Sequence, residues 1–184
     1  MTMPSMDESD VVARSVCIRR MLRPLTSLAY DPTVRPYQTG GVIVLGASQG
    51  VGKGRDYRRW RFLTRVARVR ASYHELWQET RTRSQYRLAQ MYLALYEVDR
   101  LHDREQELLA LHSDPSLEED LSEDRYKRGP HLHVVSVPAG FHRAHLSLEL
   151  SSLQSILSSC TALTESMTQL VQMISDEVLH RIDT

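Results

Sequence analysis

Along the last third of the chain, apolar residues recur at alternating spacings of three and four: Leu153, Ile156, Cys160, Leu163, Met167, Leu170 and Ile174. This is a heptad seam, and it predicts one long helix over roughly Ser151–Ile182. Leu157, Val171, Val178 and Ile182 widen the seam into a stripe, and Ser151 or Ser152 suits the N-cap. The flanking positions hold Leu157, Thr164 and Val171 on one side and Ser159, Ser166 and Met173 on the other. A solvated coiled coil would carry Glu and Lys there, so the pattern favours a helix packed on its own sheet. At about 1.5 Å per residue such a helix is about 48 Å long, against about 30 Å for a nine-residue strand. Its C-terminal half should overhang. Met167, Leu170, Met173 and Ile174 are then the candidate interface for a second copy of the chain or another protein.

Upstream of this helix the period changes to two. Over His142–Leu150, Ala144, Leu146, Leu148 and Leu150 alternate with His145, Ser147 and Glu149; over Pro130–Val137, Leu132 and Val134 alternate with His131 and His133. Both stretches predict strands with one apolar and one polar face, joined through Pro138-Ala139-Gly140. If they pair, the helix covers the leucine face, and His131, His133, His145 and Glu149 share the other.

Met1–Ser5 is expected to be disordered. Asp7–Leu22 predicts a helix with Val11, Val12, Val16, Met21 and Leu22 near one face, acidic residues first, arginines last, and Pro24 as its stop. Leu25–Thr39, with Pro32 and Pro36, reads as a loop, and Gly40–Leu45 as a short strand. Arg58–Arg70 fits a helix or strands, with a strand from about Phe62 to Ser72 favoured. Tyr86–Val98 reads as a long strand turning at Asp99–Arg104 into a partner at Glu107–His112, and Pro115–Asp124 as an acidic surface loop.

Together these elements predict an α+β fold in one domain, 1–184. An antiparallel sheet of about four to six strands spans 40–150. The long helix at 151–182 packs on one face, and a shorter helix at 6–23 lies beside it.

Composition changes this picture little. A chain of 184 residues with 41% hydrophobic content can bury a sizeable core. The formal net charge is zero, so total charge selects no partner. No apolar run approaches a membrane span, and no signal-peptide core precedes Asp7. Cys17 and Cys160 both fall in apolar stripes and read as free core thiols, which points to a cytoplasmic compartment.

Gly40–Gly54, GGVIVLGASQGVGKG, resembles the dinucleotide-binding turn of short-chain dehydrogenases through Gly46, Gly50 and Gly52. That resemblance implies NAD(P) and a catalytic tyrosine four residues before a lysine. The chain's lysines, Lys53 and Lys127, are preceded there by Gln49 and Glu123. The same residues resemble a P-loop, which implies ATP. Five residues rather than four separate Gly46 from Gly52, and Gly54 replaces the magnesium-binding Ser or Thr. Both cofactors are disfavoured, and a glycine-rich loop is the plain alternative.

Two sets of residues carry candidate chemistry. The segment from Lys53 to Arg87 is basic with interleaved aromatics. Within it Arg55, Arg58, Arg59 and Arg61 are candidate phosphate or nucleic-acid contacts, beside Tyr57 and Trp60. The plain alternative is a solvated surface facing the acidic stretch Glu97–Asp124. His131, His133 and His145 are candidate ligands for zinc or manganese, with Asp114 or Glu149 as a fourth ligand or base. The plain alternative is hydrogen-bonded strand histidines. With no complete catalytic motif, the sequence predicts a non-enzymatic binding or assembly protein acting through protein–protein contacts, with nucleic-acid contact as a further role. The alternative is a small metal-dependent hydrolase or nuclease using the histidines. No membrane association is expected.

Overall fold

The computed structural model describes residues 5–26, 32–48, 56–99, 101, 104–113, 131–134, 144–147 and 172. Among them, nine strands form one antiparallel sheet in the order β2-β3-β5-β6-β7-β8-β9, with β1 paired to β6 and β4 to β5. The strands are β1 (Met6–Asp7), β2 (Thr33–Thr39), β3 (Val42–Ser48), β4 (Phe62–Leu63), β5 (Val69–Glu79), β6 (Gln85–Asp99), β7 (Arg104–Ser113), β8 (His131–Val134) and β9 (Ala144–Ser147). One helix, α1 (Glu8–Leu22), precedes β2.

The helix begins where its chemistry allows. The Asp7 side chain accepts a hydrogen bond from the Asp10 amide at 2.9 Å, capping an otherwise free N–H. It ends in a 3-10 turn, Arg23–Leu25, that contains Pro24. Its buried residues are Val11, Arg14, Ile18, Met21 and Leu22, again spaced by three and four. Val12 and Val16 are exposed, so the stripe runs through a buried arginine instead.

β2 and β3 form a hairpin closed by Gly40 (φ 53°) and Gly41 (φ 75°). Two positive φ values at a two-residue turn match the twist of the flanking strands, and glycine adopts them without a Cβ clash. Pro36 sits in β2 at the edge of the sheet, where a missing N–H costs least. β5 and β6 are central, and β5 is buried on both faces. The first face meets α1: Leu45, Ala71, Tyr73, Trp77, Met91, Leu93, Leu95, Leu109 and Leu111 cluster with Val11, Ile18, Met21 and Leu22.

The sheet has more than the expected four to six strands among the described residues, and the helix that packs on it is the N-terminal one. The α+β fold organised by a long C-terminal helix is therefore replaced by a strand-dominated sheet covered by α1. Ser151–Ile182 lies outside the described residues except for Gln172, which is helical. The sheet begins with Met6 and resumes at Thr33, not at residue 40, because the prolines of the supposed loop tolerate an edge strand. Gly46 is not at a phosphate-binding turn but inside β3. Cys17 is exposed on α1, not in the core.

The favoured strand over Phe62–Ser72 is split, with β4 covering only Phe62–Leu63 and β5 beginning at Val69, whereas Gln85–Asp99 and Arg104–Ser113 take up the two β readings after it. Val66 and Ala67 between β4 and β5 form a turn instead. Within the described residues no helix is long and apolar enough to cross a membrane.

Candidate functional site: the polar face of the sheet

Alternation along β5 sends two kinds of residue to opposite faces. Tyr73, Glu75 and Trp77 lie on the first face with α1, while Ser72, His74 and Leu76 lie on the second. On the first face Arg14 closes a two-pronged ion pair with Glu75, Nε to Oε2 at 2.6 Å and Nη2 to Oε1 at 2.7 Å. The Tyr73 hydroxyl donates to Oε1 at 2.6 Å, and the Trp77 indole N–H donates to Oε2 at 2.9 Å. Four donors thus satisfy a fully buried carboxylate, and burial followed by the Glu75 charge pushes the Tyr73 hydroxyl well above its ordinary range. This knot fixes β5 against α1 and so orients the second face.

On the second face, Trp60 lies against Gly46; a Cβ at Gly46 would overlap the Trp60 ring. This contact folds the 3-10 turn Tyr57–Arg59 across the sheet. His74 is sandwiched there. It stacks on Tyr92 (centroids 5.1 Å, interplanar angle 25°) and meets Tyr57 edge-on (5.0 Å, 67°). Burial pushes the His74 pKa down to about 4, and the charges of Arg58 and Arg61 push the same way. A hydrogen bond with the Gln90 side chain and the charge of Glu75 oppose them. His74 is therefore neutral at pH 7, with Nδ1 buried and without a protein partner among the described residues, as is Ser72 Oγ.

A chain of oxygens continues from His74. The Tyr92 and Tyr96 hydroxyls lie 2.7 Å apart, and Tyr92 donates to Glu107 Oε2 at 3.1 Å. Burial raises the pKa of both tyrosines, so both are neutral acids at physiological pH. The Arg61 guanidinium lies 4.1 Å from the Tyr96 ring centroid and donates to Glu105 at 3.2 Å. Arg70 reaches the same carboxylate at 3.0 Å.

The register extends this face across the sheet. His74 pairs with Tyr92, Tyr92 with His112, and His112 with His131. One row away, Ser72 pairs with Ala94, Ala94 with Ala110, Ala110 with His133, and His133 with His145. Paired residues share a face, so His112, His131, His133 and His145 occupy adjoining positions beside Tyr92.

The sequence-predicted residues divide accordingly. The strand pairing brings His131, His133 and His145 onto one face and adds His112. Arg58 and Arg59 are exposed beside that face; Arg59 pairs with Asp56 at 3.2 Å, and Arg58 lies 5.9 Å from the Tyr57 ring centroid. Arg61 is engaged with Glu105 and Tyr96. Arg55, Met167, Leu170, Met173, Ile174, Asp114 and Glu149 lie outside the described residues. Sequence reading missed His74, Tyr92, Tyr96 and the Arg14–Glu75 pair. The available signals were the polar alternation Ser72-His74 and an arginine within the three-four spacing of α1. Comparison with known protein families, with curated proteins and with solved structures returns no match.

Proposed function

We propose that this is a binding protein whose working surface is the second face of the sheet, and that its ligand is a single-stranded nucleic acid. The supporting observation is the Trp60–Gly46 contact, which lays an arginine-rich, aromatic turn over a polar face. Arg58 and Arg59 are exposed there, Arg35 holds the register position opposite Gly46, and Tyr57 and Trp60 are only half-buried. Guanidinium groups suit phosphates, and part-exposed aromatic rings suit unpaired bases. A reducing, cytoplasmic compartment suits the exposed free thiol of Cys17. The contribution of Met167, Leu170, Met173 and Ile174 to self-association or to a protein complex falls outside the described residues.

The test is fluorescence anisotropy with a labelled single-stranded RNA over a salt series. Binding should weaken steeply with salt, and Arg58→Ala with Arg59→Ala should lower the logarithmic salt slope by roughly 0.7 for each phosphate no longer neutralised. Absent or salt-independent binding would sink the proposal. A second reading, a metal-dependent hydrolase or nuclease, is favoured by one observation, the adjoining histidines on the same face. Turnover of the bound RNA in the same titration would select it.

A further inference from the structure

We propose that the Tyr57 ring is a displaceable cap over His74, and that an unpaired nucleobase takes its place, stacked on the His74–Tyr92 pair with its rim hydrogen-bonded to Ser72 Oγ. This rests on the nucleic-acid reading above and gives it a base-binding subsite. His74 and Tyr92 already form a two-ring column, with centroids 5.1 Å apart and planes 25° from parallel. Tyr57 meets the same imidazole edge-on, at 5.0 Å and 67°. A flat base laid parallel to the imidazole overlaps it more fully than that edge does, and base-on-aromatic stacking is the stronger of the two contacts. Tyr57 is held lightly. Its side chain is half-buried, and its hydroxyl makes no hydrogen bond among the described residues. The turn that carries it, Tyr57–Arg59, is fastened just beyond its end, where the Trp60 ring lies against Gly46. Rotating the Tyr57 side chain therefore uncovers His74 without releasing the turn.

Two further observations point to a nucleotide. Ser72 Oγ is one of two buried side-chain atoms, with His74 Nδ1, that lack a hydrogen-bond partner among the described residues, and Ser72 is 0% exposed. Buried polar groups are seldom left so. Ser72 and His74 stand on the same face of β5, about 6.6 Å apart along the strand. A base lying over His74 brings the N–H and carbonyl groups of its rim toward Ser72 Oγ, a bond that Tyr57 does not make. The second observation is Arg58. It is exposed, its guanidinium lies 5.9 Å from the Tyr57 ring centroid, and it makes no ion pair among the described residues. When the Tyr57 ring turns away, that guanidinium is placed to take the phosphate of the same nucleotide.

The test is an NMR titration of the full chain with adenosine 5′-monophosphate, following the His74 ring resonances, which are assigned by their loss in His74→Gln. Stacking should move the His74 ring protons upfield through the ring current of the base. Ribose 5′-phosphate, which carries the phosphate without the base, should leave them in place. Tyr57→Ala should bind the nucleotide roughly two- to tenfold more tightly, the worth of one edge-to-face ring contact that no longer competes. Tyr57→Phe should match the wild type, because the lost hydroxyl makes no bond. Ser72→Ala should weaken binding by roughly the same factor, the worth of one hydrogen bond. Circular dichroism on each variant separates lost binding from lost folding, and the wild-type shift depends on no variant. Unshifted His74 resonances in both wild type and Tyr57→Ala, an equal shift with ribose 5′-phosphate, weaker binding in a folded Tyr57→Ala, or full affinity in Ser72→Ala would overturn the subsite. RNA binding in the salt series without a His74 shift would remove the subsite and keep the binding reading. A His74 shift with the nucleotide but no RNA binding would keep the subsite and remove the longer strand.

Discussion

Arg14 on α1 and Glu75 on β5 form a fully enclosed, two-pronged ion pair, with side chains 4% and 0% exposed. The pair joins the helix to the central strand across 61 positions of sequence. It replaces an apolar contact at the centre of the first face, where Leu45 and Met91 flank Glu75 in the register. Glu75 also takes donors from Tyr73 and Trp77, so each prong of the carboxylate is doubly satisfied.

Breaking one side of this pair should be worse than removing both. Arg14→Met leaves a buried carboxylate without its cation and should cost about 3–5 kcal/mol. The double variant Arg14→Met with Glu75→Met should cost less than the sum of the two single changes, because it buries no uncompensated charge. Urea denaturation of the four proteins gives the coupling. Additive losses would show that the pair is not the unit described.

Gly46→Ala should dislodge Trp60. The new methyl group cannot coexist with the ring in its present position, so the turn Tyr57–Arg59 must lift. A loss of about 1–3 kcal/mol is expected, as for other overpacked sites. Tryptophan emission should shift to the red, because Trp77 stays buried while Trp60 becomes solvated. Adding Trp60→Ala should recover part of the stability. If emission is unchanged in Gly46→Ala, the ring does not lie against the glycine.

His74 makes the fold sensitive to acid. Its folded pKa of about 4 lies below the unfolded value near 6.5. The unfolded chain therefore takes up a proton first as pH falls. Stability is fully present above about pH 6.5 and declines through the window down to about pH 4, by roughly 3 kcal/mol in total. His74→Gln should lose less stability than the wild type between pH 7.5 and pH 4.5, measured by urea midpoints. Parallel losses would assign the acid sensitivity to other groups.

Tyr92→Phe should cost about 1–3 kcal/mol, because Tyr96 is deprived of its hydroxyl neighbour and Glu107 of a donor in a part-buried site. The ring itself remains to stack on His74, so the chemical environment of the His74 ring protons should change little in NMR spectra. A large shift there would mean that the hydroxyl, not the ring, holds the stack.

The legible parts of the fold were those governed by local chemistry. The α1 helix, its acidic start at Asp7 and its stop at Pro24 follow from capping and from a ring that cannot continue a helix. The long strand at Tyr86–Val98 and its partner after Asp99 follow from alternation between turn signals. The two histidine strands share a period of two, and they do pair, with His133 opposite His145. Pro36 misled because proline is excluded from central strands but tolerated at an edge, and position in the sheet is not local information.

By itself the sequence determined the periods: three and four along α1, two along the strands, and histidines at alternate positions on one side of β8. These arise from the geometry of single elements. Only the tertiary structure decided which elements meet. It set Arg14 against Glu75, closed Trp60 over Gly46, and aligned His74, Tyr92, His112 and His131 in one row across four strands. The physical reason is that sheet register and helix docking are chosen by total burial and by the pairing of buried polar groups. Those energies exist only between segments distant in the chain.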